Sequence, residues 1–424
     1  MALAASKSSV SRTVAVAPGR PTDPFGASWL TKVARAVAVA LAIAFVIALA
    51  SGSGADTAAG RLGGDYPAFY AAGRLITSDE RAVMYDPVRQ AATQQGLFPR
   101  DASDTGDAGE GLLYFAYPPH TALAYVPLAH LPYRVSYALH TLLMVGATVA
   151  ALYLVRPMLP LVDRHFALAV IGAVSFYPMY RAITGGQNTA LTLLLLAGSW
   201  RAVETRRDAV GGVLLGLLLF KPQFALPLIG LHLLARRWRL GVSAALTAAA
   251  CWGLGAVLLG FDWLGSWLDS VRSFSDLDAH VNRRNAVSFL GVADAVFGVG
   301  DTSGRALGGM LALATVAALI ATWRNVDRRS LCAPMMVALP AIVLISPHAM
   351  FYDAGLLVLP LAAMSVARNA HVREAAVVLW CAGLLDIAKH AIGLTPVFAV
   401  TVAVLVVALF VARRLDPLPR SVVT

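Results

Sequence analysis

Apolar runs recur along the chain from about residue 33 to about residue 412, parted by short polar connections, and this spacing predicts a bundle of membrane-crossing helices. The runs cover about 33–51, 135–155, 166–183, 188–202, 209–220, 224–235, 241–261, 305–323, 331–346, 350–367, 374–391 and 394–412. A crossing helix needs about 20 residues, so "GGVLLGLLLF" and "FALPLIGLHLLA" are too short to cross alone. Pro222 and Pro227 make them a broken or re-entrant pair meeting at "KPQ". The pattern predicts an all-α polytopic membrane protein of about 10–12 transmembrane helices, with interfacial helices in its first long connection. One domain then spans residues 33–412, between tails at 1–32 and 413–424.

Arginines mark every second connection: Arg156 and Arg164; Arg201, Arg206 and Arg207; Arg236, Arg237 and Arg239; Arg324, Arg328 and Arg329; Arg368 and Arg373; Arg413, Arg414 and Arg420. The positive-inside rule places these in the cytoplasm, together with both tails and Lys7, Arg12, Arg20, Lys32 and Arg35. Connections 52–134 and 262–304, with the short ones at 184–187, 221–223, 347–349 and 392–393, then face outward across the plasma membrane. "ALA" at 48–50 also fits a signal-peptidase site after a short apolar run. With or without cleavage there, Asp65 ends outside.

Composition agrees with a membrane protein, at 58% hydrophobic and 14% charged residues over 424 positions. The net charge of +10 comes from short arginine clusters between apolar runs, so nucleic acid is not the expected partner. Cys251, Cys332 and Cys381 lie in apolar runs without CxxC or Cys/His spacing and read as small hydrophobes.

The unusual polar residues gather on the outward side. Asp65 stands in "GGDYPAFYAAGRL", followed by Tyr117 and His120 in "YPPH", Gln187 and Asn188 in "TGGQN", and Lys221 and Gln223 in "KPQ". Arg283 and Arg284 lie in "DAHVNRRN", and His348 in "SPH". His140, Arg181, Asp353, Asp386 and Lys389 belong to the outer ends of runs. An ionisable group inside a membrane costs about 2.5–3.5 kcal/mol on insertion scales, so a one-sided cluster points to a site at the outer face.

Each motif also has a plainer reading. Asp65 suits an N-cap before Tyr66 and Pro67 equally well. "YPPHTALAYVPLAHLP" reads as a proline-broken interfacial helix with Tyr117, Tyr125 and Tyr133 in the aromatic belt. "TGGQN" suits a tight turn, Lys221 can snorkel, Arg283 and Arg284 can meet anionic lipid, and Asp386 with Lys389 form an i,i+3 ion pair.

One carboxylate, several cations and an apolar scaffold suit sugar transfer from a lipid-phosphate donor. The acceptor hydroxyl needs a base, the departing phosphate needs positive charge, and the lipid tail needs a groove between helices. Lys221, Arg283, Arg284 and His348 are the expected phosphate and lipid ligands, with Lys221 first because it tips a broken helix. Tyr66, Tyr70, Tyr117, His120, Gln187, Asn188 and Gln223 are the expected substrate contacts.

In this order, "GGDYPAFYAAGRL", "MYDP", "FAYPPHTALAYVPLAHLPY", "GGQNTALTLLLLAG", "KPQFALPLIGLHLLARRW" and "SPHAMFYDAGLL" resemble glycosyltransferase family 87 over about residues 60–365. The resemblance implies a GT-C fold and a hexosyltransferase using polyprenyl-phosphate sugars, mannosyl donors above all. It further implies a lipid-linked or cell-envelope glycan acceptor, with Asp65 as the catalytic acid of the first outward loop and Lys221 in the K-P-Q motif. Enzymes of this kind typically invert, which suits a single base. No acidic pair stands near Asp65 in the sequence, so neither a metal nor another cofactor is expected. The alternative is a lipid or sugar-lipid transporter, which predicts paired broken helices in two related halves. The chain offers one Pro-interrupted pair and no internal repeat.

The arginine pattern makes a direct prediction. Cysteines placed near residues 105 and 275 should react with an impermeant thiol reagent in intact cells, and one near residue 327 should not. The reverse labelling would overturn the outward placement of Asp65.

Overall fold

A computed structural model describes residues 28–51, 62–95, 97, 112–324, 330–365, 367 and 369–414. The acidic tract at 101–111, the basic residues before residue 28, and Arg328, Arg329, Arg368 and Arg420 lie outside the described residues. The fold is all-α. Its helices are α1 (Ser28–Ser51), α2 (Tyr66–Leu75), α3 (Pro87–Gln95), α4 (Pro119–Ala129), α5 (Tyr133–Val155), α6 (Pro160–Arg164) and α7 (Phe166–Ser175). They continue as α8 (Tyr177–Thr184), α9 (Thr189–Glu204), α10 (Asp208–Leu217), α11 (Pro222–Leu234), α12 (Trp238–Leu259), α13 (Trp263–Val281) and α14 (Phe289–Phe297). The last are α15 (Thr302–Arg324), α16 (Cys332–Ile345), α17 (Val358–Ser365), α18 (Ala370–Ala382), α19 (Lys389–Ile392) and α20 (Val397–Arg414).

Every apolar run of the sequence becomes a helix or a joined pair. Among the described residues, five segments are long and apolar enough to cross a membrane: Thr31–Ala50, Tyr133–Met158, Trp238–Leu259, Thr302–Arg324 and Ala370–Ile392. The bent pair α7–α8 is a sixth candidate, and shorter apolar helices fill the bundle between them. This is a multi-pass membrane protein. Its centre is α16, whose "CAPMMVALPAIVLI" carries no charge and is buried along nearly its whole length against α15, α17 and α20.

Two breaks shape the bundle. At Lys221 the backbone leaves the helical region (φ −122°, ψ 75°) because Pro222 follows, and α11 restarts there, as the "KPQ" motif predicts. The run at 166–183 is not the single straight span that its hydropathy predicts. It bends by 68° between α7 and α8, with Phe176 extended and Pro178 in the first turn of α8. Proline cannot donate to the preceding turn, so the helix restarts in a new direction.

Among the described residues of the first long connection, the aromatic side chains pack into a buried layer. Tyr66 is fully enclosed, with ring centroids of Tyr125, Tyr133, Tyr137 and His140 at 6.3, 5.8, 5.7 and 4.7 Å. Its hydroxyl pairs with Ser136 Oγ at 2.5 Å, and Tyr70 donates to Leu131 O at 2.7 Å. Phe69 stacks on Tyr125 at 4.8 Å. The aromatic rings that hydropathy assigns to headgroups therefore pack one another, because clustered edge and face contacts bury more apolar area than an open interface does.

The connections before α2 and before α9 meet backbone to backbone. Asp65 N donates to Gly185 O at 3.0 Å, Tyr133 Oη donates to Leu62 O at 2.6 Å, and Tyr137 Oη donates to Thr184 O at 2.5 Å. Gly63, Gly64 and Gly186 all have positive φ, at 95°, 54° and 70°. A Cβ on Gly186 would lie 2.4 Å from Gly63 O, and one on Gly64 would lie 2.7 Å from Gly185 O. Only glycine allows both the left-handed turn and this approach.

Gly186→Ala should accordingly lower stability by at least about 1–3 kcal/mol, from the clash and the strained turn. Gly146→Ala, where an added Cβ meets nothing within 4 Å, should be neutral or mildly stabilising. Thermal unfolding of the detergent-solubilised proteins compares the two, and equal midpoints would refute the close contact.

Candidate active site

The two glycine turns deliver one carboxylate and two carboxamides to the same place. Asp65 occupies the N-cap position of α2 but makes no capping hydrogen bond, and its φ and ψ of −85° and −2° are helical. The capping reading therefore fails. Its Oδ2 instead accepts from Gln187 Nε2. A carboxylate only accepts, so the glutamine turns its nitrogen inward and leaves Oε1 buried without a partner. Asn188 is fully buried, and its carboxamide makes no close hydrogen bond among the described residues, with the Tyr117 hydroxyl as a near polar neighbour. Unpaired buried polar atoms are costly, and their concentration beside one carboxylate is what a sugar's hydroxyls would satisfy.

Asn188 leads into Thr189, whose hydroxyl stands 3.4 Å from Asp353 Oδ1. Asp353 is held from three directions: Lys221 Nζ binds Oδ1 at 2.8 Å, Met350 N binds Oδ2 at 3.1 Å, and its own N–H donates to Met350 O. Lys221 is only 4% exposed. The expectation that Lys221 reaches a headgroup from an open helix tip is thus corrected. A buried ammonium needs a counter-charge, and the sequence supplies Asp353 132 positions away. The tip itself is real, since Lys221 sits at the break before α11.

Asp278 of α13 binds the far side of the site, with Oδ2 3.5 Å from His348 Nδ1 and Oδ1 accepting from Asn282 at 2.7 Å. His348 packs edge-on against Phe274 at 5.2 Å. Burial pushes the Asp278 carboxyl up, opposed by His348. The Asp65 carboxyl is pushed up to about 6, chiefly by burial and then by the charge of Asp278. Its bond from Gln187 and the charges of Lys221 and Arg181 oppose this.

Other expected site residues divide by burial. Tyr66 and Tyr70 lie behind Asp65 inside the aromatic layer, so neither offers a face to a sugar, and that expectation is corrected. Tyr117 is half-buried, and its hydroxyl is raised well above its ordinary range by burial and by the nearby Asp353 and Asp65. Half-buried His120 has both ring nitrogens enclosed and unpaired, and burial lowers its pKa. Gln223 is half-buried beside Lys221. Arg283 and Arg284 stand in a short 3-10 turn after α13, with Arg284 exposed and its carbonyl accepting from Thr395 N at 3.0 Å.

Sequence reasoning placed Asp353 and Arg181 in the outer cluster without a role in the site, and left Asp278 and Tyr352 out. Tyr352 stands within electrostatic reach of both Asp65 and Asp353. The signal available was the acidic residue in "SPHAMFYDAG", three positions past "SPHAM", in a run otherwise free of Asp, Glu, Lys and Arg.

A half-buried carboxylate with a raised pKa, beside two carboxamides and a buried ion pair in a helical membrane bundle, makes this the candidate active site. The profile of glycosyltransferase family 87 matches residues 115–347, more than half of the chain. The chain belongs to glycosyltransferase family 87 and is a membrane glycosyltransferase. No curated protein and no solved structure matches it. The matched stretch holds Tyr117, Gln187, Asn188 and Lys221, while Asp65 precedes it and is tied to it by the glycine contact.

The ion pair yields a stability prediction. Lys221→Ala leaves Asp353 buried and uncompensated and should destabilise by about 3–5 kcal/mol, whereas Lys221→Met with Asp353→Leu should recover most of the loss. Thermal midpoints of the purified wild type and the two variants decide the matter. A Lys221→Ala protein as stable as wild type would show that the pair is not closed.

Proposed function

We propose that the protein transfers a hexose, mannose in the first instance, from a polyprenyl-phosphate donor to a lipid-linked or cell-envelope glycan acceptor at the outer face of the plasma membrane. The observation that carries this is the Asp65 carboxylate, which is free of any capping duty and bonded to Gln187 beside the buried carboxamide of Asn188. In the reaction the acceptor hydroxyl gives its proton to Asp65, and its oxygen bonds to the anomeric carbon. The bond from that carbon to the phosphate oxygen breaks, and the electron pair leaves with the polyprenyl phosphate. Direct displacement inverts a β-linked donor to an α-linked product, in a GT-C-type step that needs no metal.

A pKa of about 6 suits the base, since a carboxylate ionised at neutral pH yet more basic than an exposed one takes a proton more readily. Gln187 and Asn188 bind sugar hydroxyls, with Tyr117, His120 and Gln223 around them. Lys221 keeps positive charge beside the site while Asp353 holds it in place. Arg283, Arg284 and His348 remain the proposed contacts to the lipid on the α13 side.

Asp65→Asn tests the reading directly. The amide can still accept from Gln187 but cannot take a proton, so the variant should fold normally and lose about 10²–10⁴ in transfer rate. The assay follows radiolabelled polyprenyl-phosphate mannose into membrane lipids. Wild-type activity should fall as the pH drops through about 6, because protonating Asp65 removes the base. Near wild-type turnover by Asp65→Asn would exclude Asp65 as the base.

A further inference from the structure

Arg181 is the cation that the proposed reaction leaves unassigned. It lies in the last turn of α8, is exposed, and its side chain makes no hydrogen bond or ion pair among the described residues. Its position relative to Asp65 is fixed by backbone. Arg181 O accepts from Gly185 N at 2.8 Å, and Gly185 O accepts from Asp65 N at 3.0 Å. One helical turn therefore separates the carboxylate's turn from the guanidinium.

The surroundings favour an anion arriving from the membrane. Tyr180, next to Arg181, donates to Leu41 O of α1 at 3.2 Å, and α1 is a candidate span whose apolar window has no buried residues. On the other side, Lys389 of α19 stands near enough to feel the Arg181 charge. Lys389 is already engaged, 3.7 Å from Asp386 Oδ2 and 3.6 Å above the Phe351 ring. Of the site's other cations, Lys221 is committed to Asp353 and His348 to Asp278, while Arg283 and Arg284 stand in the turn after α13. Arg181 thus offers an exposed, unspent guanidinium on the α1 side of the proposed base.

We propose that Arg181 binds the phosphate of the lipid-linked donor, with Lys389 adding positive field, so that the lipid enters sideways past α1. This rests on the proposed transfer reaction. The donor phosphate is a diester with one negative charge, and it becomes a monoester with more charge as the sugar leaves. A guanidinium fork holds two phosphate oxygens at once and so gains most where that charge develops. The departing monophosphate is then the tightest ligand of the subsite.

The test uses binding in place of turnover, with farnesyl monophosphate as the probe, farnesol as its uncharged match, and inorganic phosphate and phosphatidylglycerol as rival anions. Wild-type protein in detergent should bind farnesyl monophosphate. Arg181→Gln should weaken this by about tenfold or more without changing farnesol binding, and Arg181→Lys should restore part of it. In the transfer assay Arg181→Gln should lower kcat/KM for the donor and leave KM for the acceptor unchanged. Equal farnesyl monophosphate affinity in wild type and Arg181→Gln would overturn the assignment, as would equally good competition by inorganic phosphate or phosphatidylglycerol. If the probe binds through Arg181 while wild-type protein transfers no sugar, the transfer reaction falls and the phosphate subsite stands.

Discussion

The site depends on one contact, the approach of the Gly63–Asp65 turn to the Gly185–Gly186 turn at hydrogen-bond distance. No side chain could be interposed there, because a Cβ on either side would overlap a backbone carbonyl. The contact joins the first long connection to the bundle and sets the Asp65 side chain against Gln187. Tyr133 and Tyr137 of α5 buttress it by donating to carbonyls on both turns. Backbone-to-backbone placement is stiffer than a side-chain contact of similar strength, since no rotamer can relax it.

Around that contact the protein handles buried charge in two ways. Lys221 and Asp353 cancel each other inside the bundle, with Met350 N taking the remaining carboxylate oxygen. Such a pair is costly to break, because either partner alone would be an uncompensated charge in a medium that solvates it poorly. Asp65 receives no such partner. It has one amide bond and two cations at a distance, opposed by burial and by Asp278. The paired carboxylate serves structure, and the underpaired one is left basic enough to do chemistry.

The second long connection contributes through Asp278 and His348, which link α13 to the segment before Phe351. Val287 N donates to Ala349 O at 2.9 Å in the same region, so the 346–353 segment is held between α13 and the bundle. Asp353 and His348 lie on this one segment, five positions apart, and each meets a partner from a different part of the chain. The charge of Asp278 also reaches Asp65 and raises its carboxyl.

The sequence by itself determined the class of protein and the positions of its helices, because length and hydropathy of a crossing segment are local properties. It also determined the break at "KPQ", since proline restricts the residue before it, and the gathering of Asp65, Gln187, Asn188 and Lys221 in alternate connections. The family profile agrees with the motif order over residues 115–347. Only the tertiary structure decided which of those residues touch. Asp65 meets Gln187 across 122 positions and Lys221 meets Asp353 across 132, and no periodicity reports pairings at such separations. For the same reason Tyr66 and Tyr70 read as exposed sugar platforms when they are core, and the α7–α8 bend read as a straight span. Burial of an aromatic ring is set by what packs over it, and that partner lies elsewhere in the chain.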